Sequence, residues 1–388
     1  MTTKSPPPGF PQPLHVGRPN IGDEQRFLER LHGILERRWL TNAGPLEQEF
    51  EEQLAQYLGV RHCIPICNGT VALELAIRAL GLEGEVILPS LTFIATAHAL
   101  QWQQIRPVFC DIDRHSYNLD PAEVERHITP RTSAILGVHL YGRPCDVDAL
   151  GAIAERHGLK LMFDAAHAFG CSHQGRMIGN FGACEVFSFH ATKLFNSFEG
   201  GAVATNDDEL ARKIRLMKNF GFAGEDNVIY IGTNGKMTEV CAAMGLTNLE
   251  SLDHFVDVNR RNLATYRAGL ADIPGVSLIA YDEGQRNNYQ YVIAEIDETA
   301  FGVSRDALQA ALREYNVLAR RYFYPGCHRM EPYRTLYPDT GRALPQTEDF
   351  CEHVLALPTG TQVSEAMVNG ICELIRAVHA GADGRQNG

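Results

Sequence analysis

The sequence predicts an α/β protein in which a large domain, built on a mostly parallel sheet flanked by helices, is followed by a smaller α+β domain toward the C-terminus. Three observations carry that expectation. Apolar runs alternate with helical stretches between residues 62 and 164. Those runs are continuously apolar, as strands buried on both faces are. Beyond residue 270 the alternation gives way to fewer strands among helices.

Residues 1–22, beginning MTTKSPPPGFPQPLHVG, read as an N-terminal arm that is flexible and stiffened by proline over about 15 residues. Residues 23–39 place Phe27, Leu28, Leu31, Ile34 and Leu35 at helical spacing; TNAGP at 41–45 breaks the pattern and 46–58 resumes it. Strands follow in HCIPIC (62–67), EVILPS (85–90), RPVFCD (106–111), SAILGVHLY (133–141) and LKLMFD (159–164), with helices at 71–80, 93–102, 121–128 and 146–157 between them. The stretch 209–219 reads as a helix, and 241–270 as one long helix bridging two domains. A strand at 290–296 and helices at 304–314 and 364–379 complete the pattern. The expected organisation is an arm (1–22), a large domain (23–248) and a small domain (249–388).

With 388 residues, 45% hydrophobic and 21% charged, the composition is that of a globular protein, which excludes disorder, collagen and coiled coil. A formal charge of −12 argues against nucleic acid as a partner, because backbone binding needs a basic face. The ten cysteines show no CxxC pair and no zinc-like spacing, and read as reduced thiols of a cytoplasmic protein that holds no metal. The N-terminus lacks the apolar segment of a secretory signal, and no stretch approaches the roughly 20 apolar residues that span a bilayer.

In an open parallel sheet, ligands bind beyond the carboxyl ends of the strands. Three positions there stand out. Asn68, Gly69 and Thr70 follow the first strand and precede a helix, whose free N–H groups suit a phosphate; the alternative is ordinary N-capping by Thr70. Asp164 ends the run LKLMF, where a carboxylate needs a cation to stay ionised; a solvated cap is its alternative. Lys193 lies in the apolar and aromatic run FSFHATKLFNSFEGG, where desolvation lowers an amine's pKa and lets it attack a carbonyl; snorkelling from a strand edge is the alternative. Together, a phosphate cradle, an acid at a strand end and a semi-buried lysine are the parts that hold pyridoxal 5'-phosphate. Walker, GxGxxG and HExxH motifs are absent from the sequence.

The chain resembles the DegT/DnrJ/StrS family of sugar aminotransferases, which share the fold-type I architecture of aspartate aminotransferase. The motifs are CNGTVALELAIRAL (67–80), PSLTFIATAHA (89–99), PVFCDID (107–113), VHLYGRPCDVDAL (138–150), FDAAHAFG (163–170), FSFHATK (187–193), EGGAVATND (199–207) and GTNGKMTEVCAAMGL (232–246). They keep the family's order across about 30–330. The resemblance implies that Lys193 binds the cofactor as a Schiff base and shuttles protons, that Asp164 pairs with the pyridine nitrogen, and that Phe93 stacks on the ring. It implies phosphate contacts from Gly69, Thr70 and Ser188, and a position beside the ring for His167, often Gln in relatives. Asn234 matches a residue that reaches the phosphate of a neighbouring subunit, which implies a homodimer with shared active sites. Phe163 stands where many relatives have Glu, and Lys236 where Arg is frequent. The presence of Lys193 disfavours the branch that replaces it by His and dehydrates its substrate.

FDAAHAFG and LARRYFYPGCHRMEPY (318–333) are most similar to enzymes that aminate the four position of a dTDP-4-keto-6-deoxyhexose. The implied reaction takes nitrogen from L-glutamate, holds it as pyridoxamine 5'-phosphate and delivers it to the nucleotide-linked keto-sugar, giving dTDP-4-amino-4,6-dideoxyglucose for an antibiotic or a surface polysaccharide. Arg320, Arg321 and His328 are candidates for the substrate diphosphate, with a solvated basic cluster as the alternative. Amination at the three position, a UDP- or GDP-linked sugar, and a non-catalytic cofactor-binding scaffold stay open.

Overall fold

The structure, a computed structural model, describes residues 9–338 and 344–386. Its centre is a seven-stranded sheet in the spatial order His62–Ile66, Gly201–Thr205, Cys184–Ser188, Lys160–Asp164, Thr132–Val138, Glu85–Pro89, Arg106–Cys110. Gly201–Thr205 runs antiparallel to both of its neighbours, and every other pairing is parallel.

Alternate residues of each strand feed opposite faces, as the twofold repeat of a strand requires. Val86, Leu88, Leu136, Met162 and Val186 pack under the helix Gly69–Ala79. Ile87, Ile135 and Phe163 face the helix Val147–His157, while Phe187, Ala202 and Ala204 meet Pro45–Leu58 and Glu239–Glu250. Burial on both faces is the reason these strands are continuously apolar in sequence. The strands Cys184–Ser188 and Gly201–Thr205 were not separable in the sequence, because the lysine-bearing loop between them is itself rich in phenylalanine.

The smaller sheet is antiparallel, in the order Val276–Leu278, Val292–Ile296, Val354–Leu357. It packs with the helices Leu252–Leu270, Arg305–Glu314 and Glu365–Gln386.

Two expectations are corrected. The segment 241–270 is two helices, Glu239–Glu250 and Leu252–Leu270, broken at Ser251 (φ −106°, ψ 2°). The break lies where the N-terminal segment crosses: Gly22 N–H donates to Asn248 Oδ1 at 2.8 Å, and a Cβ on Gly22 would stand 2.5 Å from Ser251 Oγ. The N-terminal arm is also not free along its described part. Phe10 N–H donates to the Tyr315 carbonyl at 3.1 Å, and Leu14–His15 pairs in parallel with Val317–Leu318. Residues 1–8 of the expected arm lie outside the described residues.

All ten cysteines are free thiols, eight of them buried. Among the described residues no helix is long and apolar enough to cross a membrane, and no cluster of His, Cys, Asp and Glu could hold a metal ion.

Gly201 ties the fold to the site. A Cβ there would stand 2.7 Å from both Asn68 C and Gly69 N, backbone atoms that cannot swing away. Gly201→Ala is expected to cost about 1–3 kcal/mol through overpacking and to loosen retention of a phosphate ligand at Gly69. Thermal unfolding and phosphate-ligand titration of the variant measure the two effects.

Candidate active site

The strand His62–Ile66 delivers the chain to Asn68, the N-cap of Gly69–Ala79, whose Oδ1 accepts from Val71 N–H at 2.9 Å. Asn68, not Thr70, is therefore the cap. The N–H groups of Gly69 and Thr70 have no acceptor among the described residues. A helix N-terminus with free donors attracts an anion through both its hydrogen bonds and its dipole. Ser188 ends its strand directly against this turn: a Cβ on Gly69 would lie 2.9 Å from Ser188 Cβ. Gly69, the residue before Thr70, thus lies directly against Ser188.

Asp164, the last residue of Lys160–Asp164, is 5% exposed. Its Oδ2 accepts from Thr96 Oγ1 at 2.8 Å and its Oδ1 from Ala166 N–H at 3.0 Å. Burial nevertheless raises its pKa above the ordinary carboxylate value, against the opposing pull of those two donors and of Lys193. Such a carboxylate would be stabilised by a cation brought to it.

Lys193 stands in the loop between the strands Cys184–Ser188 and Gly201–Thr205, with its N–H bonded to the His190 carbonyl at 2.9 Å. The residue is partly buried, and Nζ has no hydrogen-bond partner among the described residues. Desolvation lowers its pKa to about 8, Asp164 pulling the other way. At neutral to mildly alkaline pH an appreciable share of this amine is neutral and nucleophilic.

His167 is 4% exposed, and its Nδ1 accepts from Tyr141 N–H at 3.2 Å. Burial, reinforced by Lys193, drives its pKa well below the ordinary value, so the ring is neutral with its proton on Nε2. It lies nearly parallel to Phe323, with centroids 5.6 Å apart at 9°. Phe93 meets Phe323 edge-on at 6.2 Å and is itself 55% exposed, leaving ring surface open. A group with a phosphate, an aldehyde and a basic ring nitrogen would find here a cradle, an amine and a buried acid, so the residues fit pyridoxal phosphate.

The remaining candidates separate. Asn234 is exposed on the loop before Glu239–Glu250, and its Oδ1 accepts from Lys236 Nζ at 2.7 Å. Arg320 and Arg321 line a groove with Phe93, Gln309, Arg313 and Met330. Arg321 is paired to Asp306 at 3.1 Å, whereas Arg320 only overlies the ring of Tyr322, at 5.3 Å. His328 is corrected: it is 2% exposed, with Nδ1 bonded to Ser90 Oγ at 2.6 Å and Nε2 to Glu348 at 3.0 Å. Nδ1 ties this segment to Ser90, at the end of Glu85–Pro89, and Nε2 is spent on Glu348, so His328 offers nothing to a diphosphate. Thr96, which orients Asp164, carried no signal in sequence because 68 residues separate the two.

Residues 22–376 match the DegT/DnrJ/EryC1/StrS aminotransferase family. The chain is 40% identical over 371 residues to a dTDP-4-amino-4,6-dideoxy-D-glucose transaminase of Shigella dysenteriae, covering 95% of this chain and 99% of that protein. A protein of the same name from Escherichia coli is 38% identical, covering 93% and 98%. A crystal structure of DesI in the presence of its TDP-sugar product superposes with a TM-score of 0.92 at 50% identity, covering 98% of this chain and 97% of that one.

Two titrations test the site. Capture of an aldehyde by the cofactor-free protein should rise with a midpoint near 8, the value of Lys193; a midpoint at the ordinary lysine value of about 10.4 would contradict the desolvated amine. An acid whose folded pKa is raised stabilises the fold only below that range and loses its contribution as pH rises through it. Asp164→Asn should therefore make the cofactor-free protein at least as heat-stable as the parent at neutral to mildly alkaline pH. The gap should close as the pH falls below the ordinary carboxylate range, while transamination is lost at every pH.

Proposed function

Because this chain belongs to the DegT/DnrJ/EryC1/StrS aminotransferase family, whose members transfer amino groups to sugars, we propose that it carries nitrogen from L-glutamate to a dTDP-linked 4-keto-6-deoxyhexose. The product is dTDP-4-amino-4,6-dideoxyglucose. The observation that carries this reading is that DesI, described with its TDP-sugar product, is half identical over nearly the whole chain. Two transaminases named for dTDP-4-amino-4,6-dideoxy-D-glucose support it.

Pyridoxal phosphate supplies the electron sink and the temporary store of nitrogen. Gly69 and Thr70 N–H groups with Ser188 would grip the phosphate, and Phe93 would cover the ring. Asp164 would hold a proton on the ring nitrogen, the cation that its desolvated carboxylate lacks. Lys193 Nζ would anchor the aldehyde and, once displaced by an incoming amine, would act as the general base at the reacting carbon; a pKa near 8 suits that task at physiological pH. Arg320 would meet the substrate diphosphate at the groove beside Phe93, since it has no carboxylate partner among the described residues.

A homodimer with shared sites belongs to the same proposal. Large apolar side chains lie exposed at Trp39, Leu40, Trp102, Phe220 and Ile231, on and around the loop that bears Asn234. A second copy would cover them and bring Asn234 to the partner's cradle.

The test is a panel of dTDP-, UDP- and GDP-linked keto-hexoses with L-glutamate, followed by assignment of the carbon that gains nitrogen. The dTDP-4-keto sugar is expected to lead by about tenfold or more in kcat/KM, with no turnover in Lys193→Ala. Preference for another nucleotide or for the three position overturns the substrate. Full cofactor binding without glutamate-dependent conversion overturns the enzyme reading.

A further inference from the structure

Asn20 enters the interior from the N-terminal segment and is 3% exposed. Its Nδ2 donates to the Leu194 carbonyl at 2.9 Å, and its own carbonyl accepts from Asn196 Nδ2 at 2.8 Å. Its Oδ1 accepts from Thr361 N–H and from Thr361 Oγ1, both at 2.9 Å. Leu194 and Asn196 belong to the loop that carries Lys193, and Thr361 to the turn that leads into Glu365–Gln386 of the small domain. One side chain therefore bridges the lysine loop and the small domain.

The loop needs such ties. Residues 189–200 form no helix or strand, so their buried backbone groups must find partners elsewhere. For Leu194, the residue after the lysine, both partners come from outside the loop: its N–H donates to Gln290 Oε1 at 3.0 Å and its carbonyl accepts from Asn20. The backbone is thus clamped at two successive peptide groups immediately after Lys193. Neighbouring contacts fix Asn20 in turn. Gly17 (φ +74°) passes so near that a Cβ would lie 2.8 Å from the Thr192 carbonyl oxygen. Asn248 takes the Gly22 N–H at 2.8 Å and donates to the Asn196 carbonyl at 2.8 Å.

We propose that Asn20 is a positioning residue for Lys193, holding the lysine loop in register with the small domain so that Nζ keeps its place in the site. An amide is required because the bridge donates on one side and accepts on the other. Asp at this position would keep the size and the acceptor for Thr361 but set a carboxylate oxygen against the Leu194 carbonyl, opening the lysine side alone. Thr361→Val removes one of two donors on the far side and leaves the lysine side intact.

The inference rests on Lys193 being the reactive amine, and the experiment separates the two. The cofactor-loaded parent, Asn20→Asp and Thr361→Val are compared by pH titration of the visible absorption band, by the glutamate half-reaction and by amide hydrogen exchange across 190–198. Asn20→Asp is expected to lower kcat by about tenfold or more with KM for glutamate changed less than about twofold, as a misplaced catalytic group does. Its band midpoint should shift and its loop exchange faster, while Thr361→Val stays near the parent in all three. Should Asn20→Asp not accumulate, Asn20→Ser, which opens both sides of the bridge, is read against Thr361→Val, and a loss of kcat in Asn20→Ser no larger than in Thr361→Val overturns the role of Asn20. Variants that only melt earlier, with kcat and band midpoint unchanged, overturn the role of Asn20. A parent with no Lys193-dependent visible band overturns the reading beneath it instead.

Discussion

Asp164 and Lys193 share one desolvated region at the carboxyl end of the central sheet, and burial pushes them toward neutrality from opposite sides. The acid is held above its ordinary pKa and the amine is brought down to about 8. Each partly restores the other, yet neither is fully satisfied by the protein: Lys193 Nζ has no hydrogen-bond partner among the described residues, and Asp164 has donors from Thr96 and Ala166 but no cation in contact. Burial of unpaired ionisable groups is costly. The rest of the structure serves to hold these two in place, and a ligand that supplies an aldehyde to one and a protonated nitrogen to the other relieves both.

The placement depends on the crossing strand. Gly201–Thr205 runs against its neighbours and brings Gly201 into contact with the first turn of Gly69–Ala79, while the loop before it returns Lys193 to the sheet's working end. Ser188 and Gly201 are register partners, so the phosphate side of the site and the end of the lysine loop are set by one pairing. The two glycines at 69 and 201 are used here for close approach of backbone to backbone and side chain, where any Cβ would collide.

The parts of the site that sequence made legible sit at strand ends, where position along the chain already fixes position in space. Asp164 follows an apolar run, Gly69 and Thr70 separate a strand from a helix, and Lys193 is conspicuous because a lysine rarely stands among phenylalanines. What escaped were contacts between segments far apart in sequence. Thr96 reaches Asp164, Gln290 and Asn20 clamp Leu194, and no periodicity marks any of them. His328 misled for the converse reason. In a stretch with arginines and tyrosines it read as a surface group, whereas Ser90 and Glu348, 238 and 20 residues away, consume both of its nitrogens. The break at Ser251 was hidden because the arm that crosses it contacts it through backbone and small side chains rather than through an apolar pattern.

A chain with a net charge of −12 that handles an anionic cofactor and an anionic sugar cannot rely on its overall field. Attraction has to be local and unspent. At the proposed cradle it would come from backbone N–H groups, whose partial charges add nothing to the net balance. At the groove beside Phe93 the proposed source is arginines, and there the ion pairs decide which are available. Arg321 is paired to Asp306, which it shares with Arg305, while Arg313 and Arg320 have no carboxylate partner among the described residues. Exposed ion pairs elsewhere on this surface contribute little to stability, but at this groove a missing partner matters more than a present one. On the proposed reading, these two uncommitted guanidiniums are the cations that the groove beside Phe93 offers to a substrate diphosphate.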